Sequence, residues 1–172
     1  MQLTGYRRAC GKRNGGMRSI AIVQASAVAG VDYDADADCY TGVRLETGAA
    51  FAVYHFREDG ADFTEKVASN GVDVLVTHTL SFALERMDRV SARAVREFCT
   101  STPDGFVAIV TTNNDVSVLA GYSERFGLEY PLRLQRAAAG SGMKLTDVSA
   151  ETVALASTDT EKAKAYAGEL PR

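Results

Sequence analysis

The sequence predicts an α/β fold, a mixed sheet with helices on both faces. Three short apolar runs, at 20–23, 72–76 and 106–110, have the length of buried strands, and each ends in small polar residues. Stretches with helix start and stop patterns follow the second and third runs. Strands that alternate with helices, together with one hairpin, predict a mixed sheet covered on both faces.

The strands and helices follow one another in the order βββαβαβα-ββα. Seven strands are predicted, at 18–25, 40–46, 49–56, 72–77, 106–111, 130–136 and 150–157. The second and third of these flank Thr47-Gly48, a pair typical of a turn, and therefore predict an antiparallel hairpin. The loop Gly140-Ser141-Gly142 separates the last two strands.

Four helices are predicted from capping residues and apolar spacing. Asp62-Phe63-Thr64-Glu65 is a capping-box pattern that opens a short helix ending at Asn70-Gly71. The helix 81–100 places apolar residues on one face, namely Ala83, Met87, Val90, Ala94 and Phe98. Asp115 is the expected cap of a helix to about Phe126, and Thr158-Asp159-Thr160-Glu161 opens the C-terminal helix.

Over 18–126 this element order resembles that of the ribonuclease H-like fold. The resemblance implies clustered carboxylates for two-metal nuclease chemistry, one of them usually on the first strand. The first strand here carries no carboxylate, and the available ones do not obviously converge: Asp38, Glu65, Asp73 and Asp115. A flavodoxin-like, doubly wound sheet is the alternative architecture.

Length, composition and charge indicate which general class of protein this is. The chain has 172 residues, 46% hydrophobic and 24% charged, which is typical of a globular protein with one sizeable core, here 18–172. The net charge of −3 argues against bulk electrostatic binding to nucleic acid. No apolar run reaches the length of a membrane span. Three cysteines without metal-ligand spacing, and no secretory signal, predict a cytoplasmic protein with reduced thiols.

Residues 1–17 are predicted to form a separate, basic and glycine-rich arm. They contain Arg7, Arg8, Lys12 and Arg13 among several glycines. No apolar core follows the basic residues, so the segment is not a secretory signal. Two interpretations stay open: an extension without a role, or an arm that docks on a partner or on phosphates.

Polar clusters at the predicted strand ends indicate a ligand site. In α/β folds ligands bind at the carboxyl ends of strands. The candidate ligand-binding residues are Gln24, Ser26, Thr77, Thr79, Ser81, Thr112, Asn113 and Asn114. Backbone N–H groups at the start of the following helices favour an anion there, although capping alone also explains these residues. His78 is the candidate catalytic residue, since among the residues of this site it alone suits proton transfer near neutral pH.

The loop that follows the first strand carries four alternating aspartates, Asp32, Asp34, Asp36 and Asp38. Alternating carboxylates are typical of sites for a divalent cation such as Ca²⁺ or Mg²⁺, the one cofactor that the sequence indicates. The spacing does not fit an EF-hand, because Cys39 stands where the loop needs glycine. A solvated acidic loop is the alternative interpretation.

Four arginines of the predicted helix 81–100 form an interaction stripe. Arg86, Arg89, Arg93 and Arg96 recur at helical spacing, away from the apolar face. Such a stripe suits phosphates, an acidic protein surface or a second copy of the chain. The alternative is a solvated face, stabilised by pairs such as Arg93 with Glu97.

These observations lead to three functional hypotheses. The first is a binding or enzymatic domain for a small anionic ligand, with a phosphorylated ligand included, at the strand ends. The second is a non-enzymatic assembly subunit that uses its basic arm and Arg stripe to meet a protein partner or form a homo-oligomer. The third is a nucleic-acid-associated domain of ribonuclease H-like topology.

Overall fold

The computed structural model describes residues 14–57 and 60–171. It shows a predominantly β structure, with 52% of residues in strands and 10% in helix. The prediction of an α/β fold with helices on both faces is therefore wrong. So are both architectures proposed with it, the ribonuclease H-like order and the doubly wound sheet. The predicted N-terminal arm lies mostly outside the described residues.

Eleven strands and one α-helix are described, in an order that keeps the helix between the sixth and seventh strands. They are β1 (Met17–Gln24), β2 (Val28–Asp34), β3 (Cys39–Leu45), β4 (Ala52–His55), β5 (Ala61–Ser69), β6 (Val74–Glu85), α1 (Arg89–Ser101), β7 (Phe106–Thr112), β8 (Ser117–Ala120), β9 (Arg133–Gly140), β10 (Ala150–Asp159) and β11 (Ala165–Tyr166). A short 3-10 turn, Ala25–Ala27, links β1 to β2.

The first sheet has seven strands in the order β2-β3-β11-β8-β7-β1-β4. All of its pairs are antiparallel except β11 with β3. β1 pairs with β7 so that Met17 lies opposite Thr112 and Gln24 opposite Phe106. On its other side β1 pairs with the edge strand β4, with Ile20 opposite Tyr54 and Ile22 opposite Ala52. The end of β1 therefore lies beside the start of β7, and the start of β1 lies beside the end of β7.

The second sheet has four antiparallel strands in the order β5-β6-β10-β9. Its inner face is apolar toward one end, where Phe63, Leu80 and Leu155 lie in register across three strands. Toward the other end the next inward row is polar, with Glu65, His78 and Ser157 in register. The alternation of a strand places these two rows on the same face.

The main hydrophobic core joins the two sheets and the helix. Ile22 and Val110 of the first sheet share one buried cluster with Leu80 and Leu155 of the second and with Phe98 of α1. Phe98 makes edge-to-face contacts with two further aromatic rings of this core, Phe82 and Phe106. Burial of large aromatic and aliphatic side chains on this scale is the dominant stabilising term for such a fold.

The opposite face of the seven-stranded sheet has its own core. Its cluster draws residues from every strand of that sheet, with Tyr40, Val107 and Leu119 almost completely buried. Within residues 14–57 and 60–171, neither the four-stranded sheet nor α1 contributes to it, and loops supply further members such as Phe51, Tyr122 and Leu170. The seven-stranded sheet therefore buries apolar side chains on both of its faces.

The region of the predicted hairpin contains two strands that do not pair with each other. β3 pairs with β2 and β11, and β4 crosses to the other edge of the sheet to pair with β1. The predicted hairpin 40–56 is therefore wrong. The six residues between the strands, which include Gly48 at φ +86°, make a longer connection instead of a tight turn.

Three of the predicted helices do not form, and strands occupy part or all of each stretch. The stretch from Asp62 is β5, and Asn70-Gly71 is the turn of a hairpin into β6, with Gly71 at φ +91°. Asn-Gly is as strong a hairpin signal as it is a helix stop, and here the hairpin forms. The stretch after Asp115 is β8, and the stretch after Thr158 completes β10 and leads to β11.

The predicted helix 81–100 begins eight residues late. Residues 81–85 belong to β6, where they pair with β10, and α1 starts only at Arg89. Met87 and Val90, predicted on the buried face, are exposed. Ala94 and Phe98 face inward as predicted. Among the described residues, no helix is long and apolar enough to cross a membrane.

Candidate functional site

The helix α1 creates a cleft beside the edge of the seven-stranded sheet. The helix is held at its start by Asp88, whose carboxylate accepts hydrogen bonds from the backbone N–H of Val90 and Ser91 at 2.8 and 2.9 Å. These bonds lower the pKa of Asp88. The Ser91 hydroxyl in turn donates to Glu151 of β10 at 3.0 Å, a buried contact that ties the helix to the second sheet.

An apolar cavity of about 260 Å³ lies between α1 and strands β1 and β4. Its floor is formed by side chains that the β1–β4 register places on one face, Ile22, Ala52 and Tyr54. Phe98 closes it from the helix side, and Phe106 lies at its end. Small residues line much of the rest, namely Ala27, Ala49, Ala50 and Ala94. The space exists because these positions carry alanine where larger side chains would fill it.

A second, larger pocket adjoins this cavity along the outer side of α1. We call it the arginine pocket; it has a volume of about 630 Å³ and is lined by Gln24, Arg89, Arg93, Arg96, Glu97, Thr100 and Ser101. Three of these residues, Gln24, Glu97 and Ser101, also line the apolar cavity. The two spaces therefore meet at this junction.

Positive charge dominates the arginine pocket. Arg93 Nε lies 3.0 Å from Glu97 Oε1, which offsets one of the three guanidinium groups, and Arg96 Nε donates to the carbonyl of Ala92. Arg89 makes no ion pair with another described residue. The single carboxylate leaves the pocket with an excess of two positive charges, a setting that favours an anion. At the junction, Gln24 Nε2 donates to Ser101 Oγ.

Tyr54 shows the effect of the cavity on a titratable group. Burial, with a further contribution from the carboxylate of Glu97, raises the pKa of its phenol. The hydroxyl therefore stays protonated at any ordinary pH and remains a potential hydrogen-bond donor beside the cavity.

The predicted ligand-binding residues at the ends of β1 and β7 are not brought together. Gln24 lies at the arginine pocket, and Ser26 donates to Asp104 beside the same end of β1. Because β1 and β7 are antiparallel, Thr112, Asn113 and Asn114 lie at the opposite end of β1. There the amides of Asn113 and Asn114 bind the backbone carbonyls of Gly15 and Asn14.

His78 lies in the middle of β6 and not at a strand end. The residue is 4% exposed, with Nδ1 3.4 Å from Ser157 Oγ and Nε2 3.4 Å from Glu65 Oε1. Burial lowers the pKa of His78 and outweighs the nearby carboxylates of Glu65 and Asp159. Thr77, Thr79 and Ser81 alternate with it, and the strand therefore places them on the other face of the sheet.

Three of the four aspartates of the predicted cation site are engaged separately, and the fourth, Asp36, lies in the turn between β2 and β3. Asp32 pairs with Arg44 at 3.2 Å, and Asp34 accepts from the backbone of the turn at Asp36 and Ala37. Asp38 accepts from Tyr33, which lowers its pKa, and pairs with Lys164 at 2.9 Å. Within 14–57 and 60–171 no three His, Cys, Asp or Glu side chains gather closely enough to hold a metal ion.

Of the predicted interaction stripe, three arginines share one pocket and the fourth does not. Arg86 precedes the helix, in the turn from β6, with φ +80°. The sequence patterns missed the apolar half of the site, including Tyr54, Ala94 and Phe106. The available signal was the alanine-rich stretch around Ala49, because small residues opposite a helix leave a gap.

The chain was compared with protein-family models, with curated proteins and with solved structures, and none of them matches it.

Proposed function

We propose that this protein binds a small anionic ligand in the cleft between α1 and the edge of the seven-stranded sheet. The observation that carries the proposal is the arrangement of Arg89, Arg93 and Arg96, which line one pocket beside an apolar cavity. Guanidinium groups bind carboxylates and phosphates through paired hydrogen bonds, so the pocket offers the chemistry that such an anion needs.

Binding fits this cleft better than catalysis. Apart from the arginines, the ionisable side chains that line the two spaces are Glu97 and Tyr54. Glu97 is already paired with Arg93, and the raised pKa of Tyr54 keeps its phenol protonated. A proton-transfer step near neutral pH needs a group that gains and loses a proton there, and the phenol of Tyr54 does not.

The test removes two positive charges from the pocket and follows anion binding. Titration of the ¹⁵N-labelled protein with sodium phosphate and with sodium benzoate should shift amide resonances of α1 near Arg89 and Arg96. In the double variant R89Q/R96Q, affinity should fall by about tenfold or more, since each lost contact to a charged group weakens binding. Added NaCl should weaken wild-type binding, because exposed charges are screened.

The matched control is R86Q/R133Q, which removes the same net charge from exposed arginines outside the pocket. It should bind the anions as the parent protein does. Absence of any shift in α1 with either anion, or equal loss in both double variants, would refute a specific anion site at this cleft.

A further inference from the structure

We infer that the ligand is an amphiphilic anion with a compact apolar body of roughly six to ten carbons, the body in the apolar cavity and the carboxylate or phosphate group in the arginine pocket. This inference rests on the proposed function and adds the class of ligand. The two adjoining spaces share three lining residues and together form one amphiphilic site.

The size of the apolar part follows from the cavity. A dry apolar cavity of about 150 Å³ holds a benzene molecule. The cavity beside α1 measures about 260 Å³ and is therefore large enough for a phenyl-alkyl group or a short alkyl chain. It is too small for a long lipid chain or for a nucleoside with its sugar and phosphates. Its walls supply aliphatic and aromatic contacts from Ile22, Tyr54 and Phe98.

The position of the charged end follows from the residues shared by the two spaces. Gln24 and Ser101 stand at the junction and bond to each other, so both already present polar groups where the apolar cavity ends. A ligand whose body fills the cavity would place its charged end at this point, next to the arginines. The wall of the cavity and the arginines are both carried by the rigid helix α1, which fixes their spacing.

Glu97 shows how the arginine pocket holds an anionic oxygen group. It lies at the same junction, and its pairing with Arg93 at 3.0 Å shows that the pocket accommodates one carboxylate against a guanidinium group. Against the excess of two positive charges, a bound carboxylate leaves one unneutralised and a dianionic phosphate leaves none, so the charge of the pocket suits either group.

The experiment compares octanoate, below its micelle concentration, with acetate and inorganic phosphate by calorimetric titration. Each pair of methylene groups that leaves water should tighten binding about tenfold, so octanoate should bind far more tightly than acetate. The variant A52L places a larger side chain in the cavity and should weaken octanoate at least tenfold while leaving phosphate binding unchanged. A139L, on an exposed stretch of β9, is the matched control and should bind like the parent protein.

The outcomes separate the two proposals. Equal affinity for octanoate and acetate, with no effect of A52L but a loss in R89Q/R96Q, overturns the ligand class and leaves the anion site standing. Octanoate binding that is insensitive to R89Q/R96Q overturns the anion site and, with it, the inference. No heat and no chemical-shift change with any of the three anions also overturns both. Loss of octanoate in A52L and of all anions in R89Q/R96Q supports both.

Discussion

At the scale of the residue, His78 shows how strand register sets the chemistry of one side chain. Its two cross-strand neighbours on the inner face are Glu65 and Ser157, and its ring stacks on Phe63. Within the described residues, no well-directed hydrogen bond reaches its Nε2 atom. Burial disfavours the charged imidazole, which lowers its pKa despite the nearby carboxylate of Glu65.

This environment predicts a loss of stability in mild acid. The ordinary pKa of the imidazole is 6.5, and the folded protein holds it lower. The unfolded chain therefore binds a proton more readily than the folded protein. The contribution of His78 to the free energy of unfolding is fully present above pH 6.5 and is lost as the pH drops toward the folded pKa. The slope approaches about 1.4 kcal/mol per pH unit for one such group. Urea unfolding at pH 7.5, 6.5 and 5.5 measures this slope.

The variant H78Q should flatten this pH dependence, because glutamine does not titrate. H55Q is the matched control, since His55 is an exposed residue of β4, and it should keep the slope of the parent protein. An unchanged slope in H78Q would contradict the assignment of the acid sensitivity to His78.

Residue types alone did not reveal this environment. His78 lies between Thr77 and Thr79, and the sequence interpretation treated the three as one polar cluster at a strand end. The strand continues to Glu85 and alternates its faces, so the histidine is buried and the threonines lie on the other side. A local pattern of polar residues cannot show where a strand stops, because pairing with β5 and β10 decides it.

At the scale of the element, one sequence pattern marks two different structures. Asp62 and Asp88 each precede a stretch that fits a helix start, but only Asp88 caps a helix, and Asp62 lies in β5. Residues 61–69 also fit a strand, since Phe63, Glu65 and Val67 alternate with polar neighbours. Pairing with the long strand β6 decides between the two, and propensity is too weak to oppose it.

The two aspartates therefore predict different effects of the same substitution. D88A removes a side chain that accepts two backbone N–H groups, and a lost cap should lower Tm by about 2–4 °C in a protein of this size. D62A removes no such bond and should leave Tm within about 1 °C. Thermal unfolding followed by circular dichroism compares them. A larger drop in D62A would contradict the assignment of the cap.

At the scale of the whole molecule, the direction of strands decides which residues form the site. Strands β1, at 17–24, and β7, at 106–112, lie within one residue of their predicted positions. The predicted site assumed that their carboxyl ends meet, which holds for parallel strands only. Antiparallel pairing separates Gln24 from Asn113, and the long-range packing of α1 brings Gln24 to the arginines instead. Neither the direction in which β1 and β7 pair nor the packing of α1 can be predicted from a local sequence pattern.

The shared core predicts that the two sheets unfold together. Leu155 of β10 is completely buried in a cluster that also contains Ile22, Val110 and Phe98 from the other sheet and the helix. L155A should therefore cost about 2–5 kcal/mol of the free energy of unfolding, because it removes buried methyl groups and leaves a cavity. L145A is the matched control, since Leu145 is fully exposed between β9 and β10, and it should change stability by less than about 0.5 kcal/mol.

Hydrogen exchange followed by NMR gives the decisive comparison. If the sheets form one cooperative unit, L155A should accelerate exchange of slowly exchanging amides in β1 and β7 as much as in β6. Acceleration confined to the four-stranded sheet would show that the two sheets open independently.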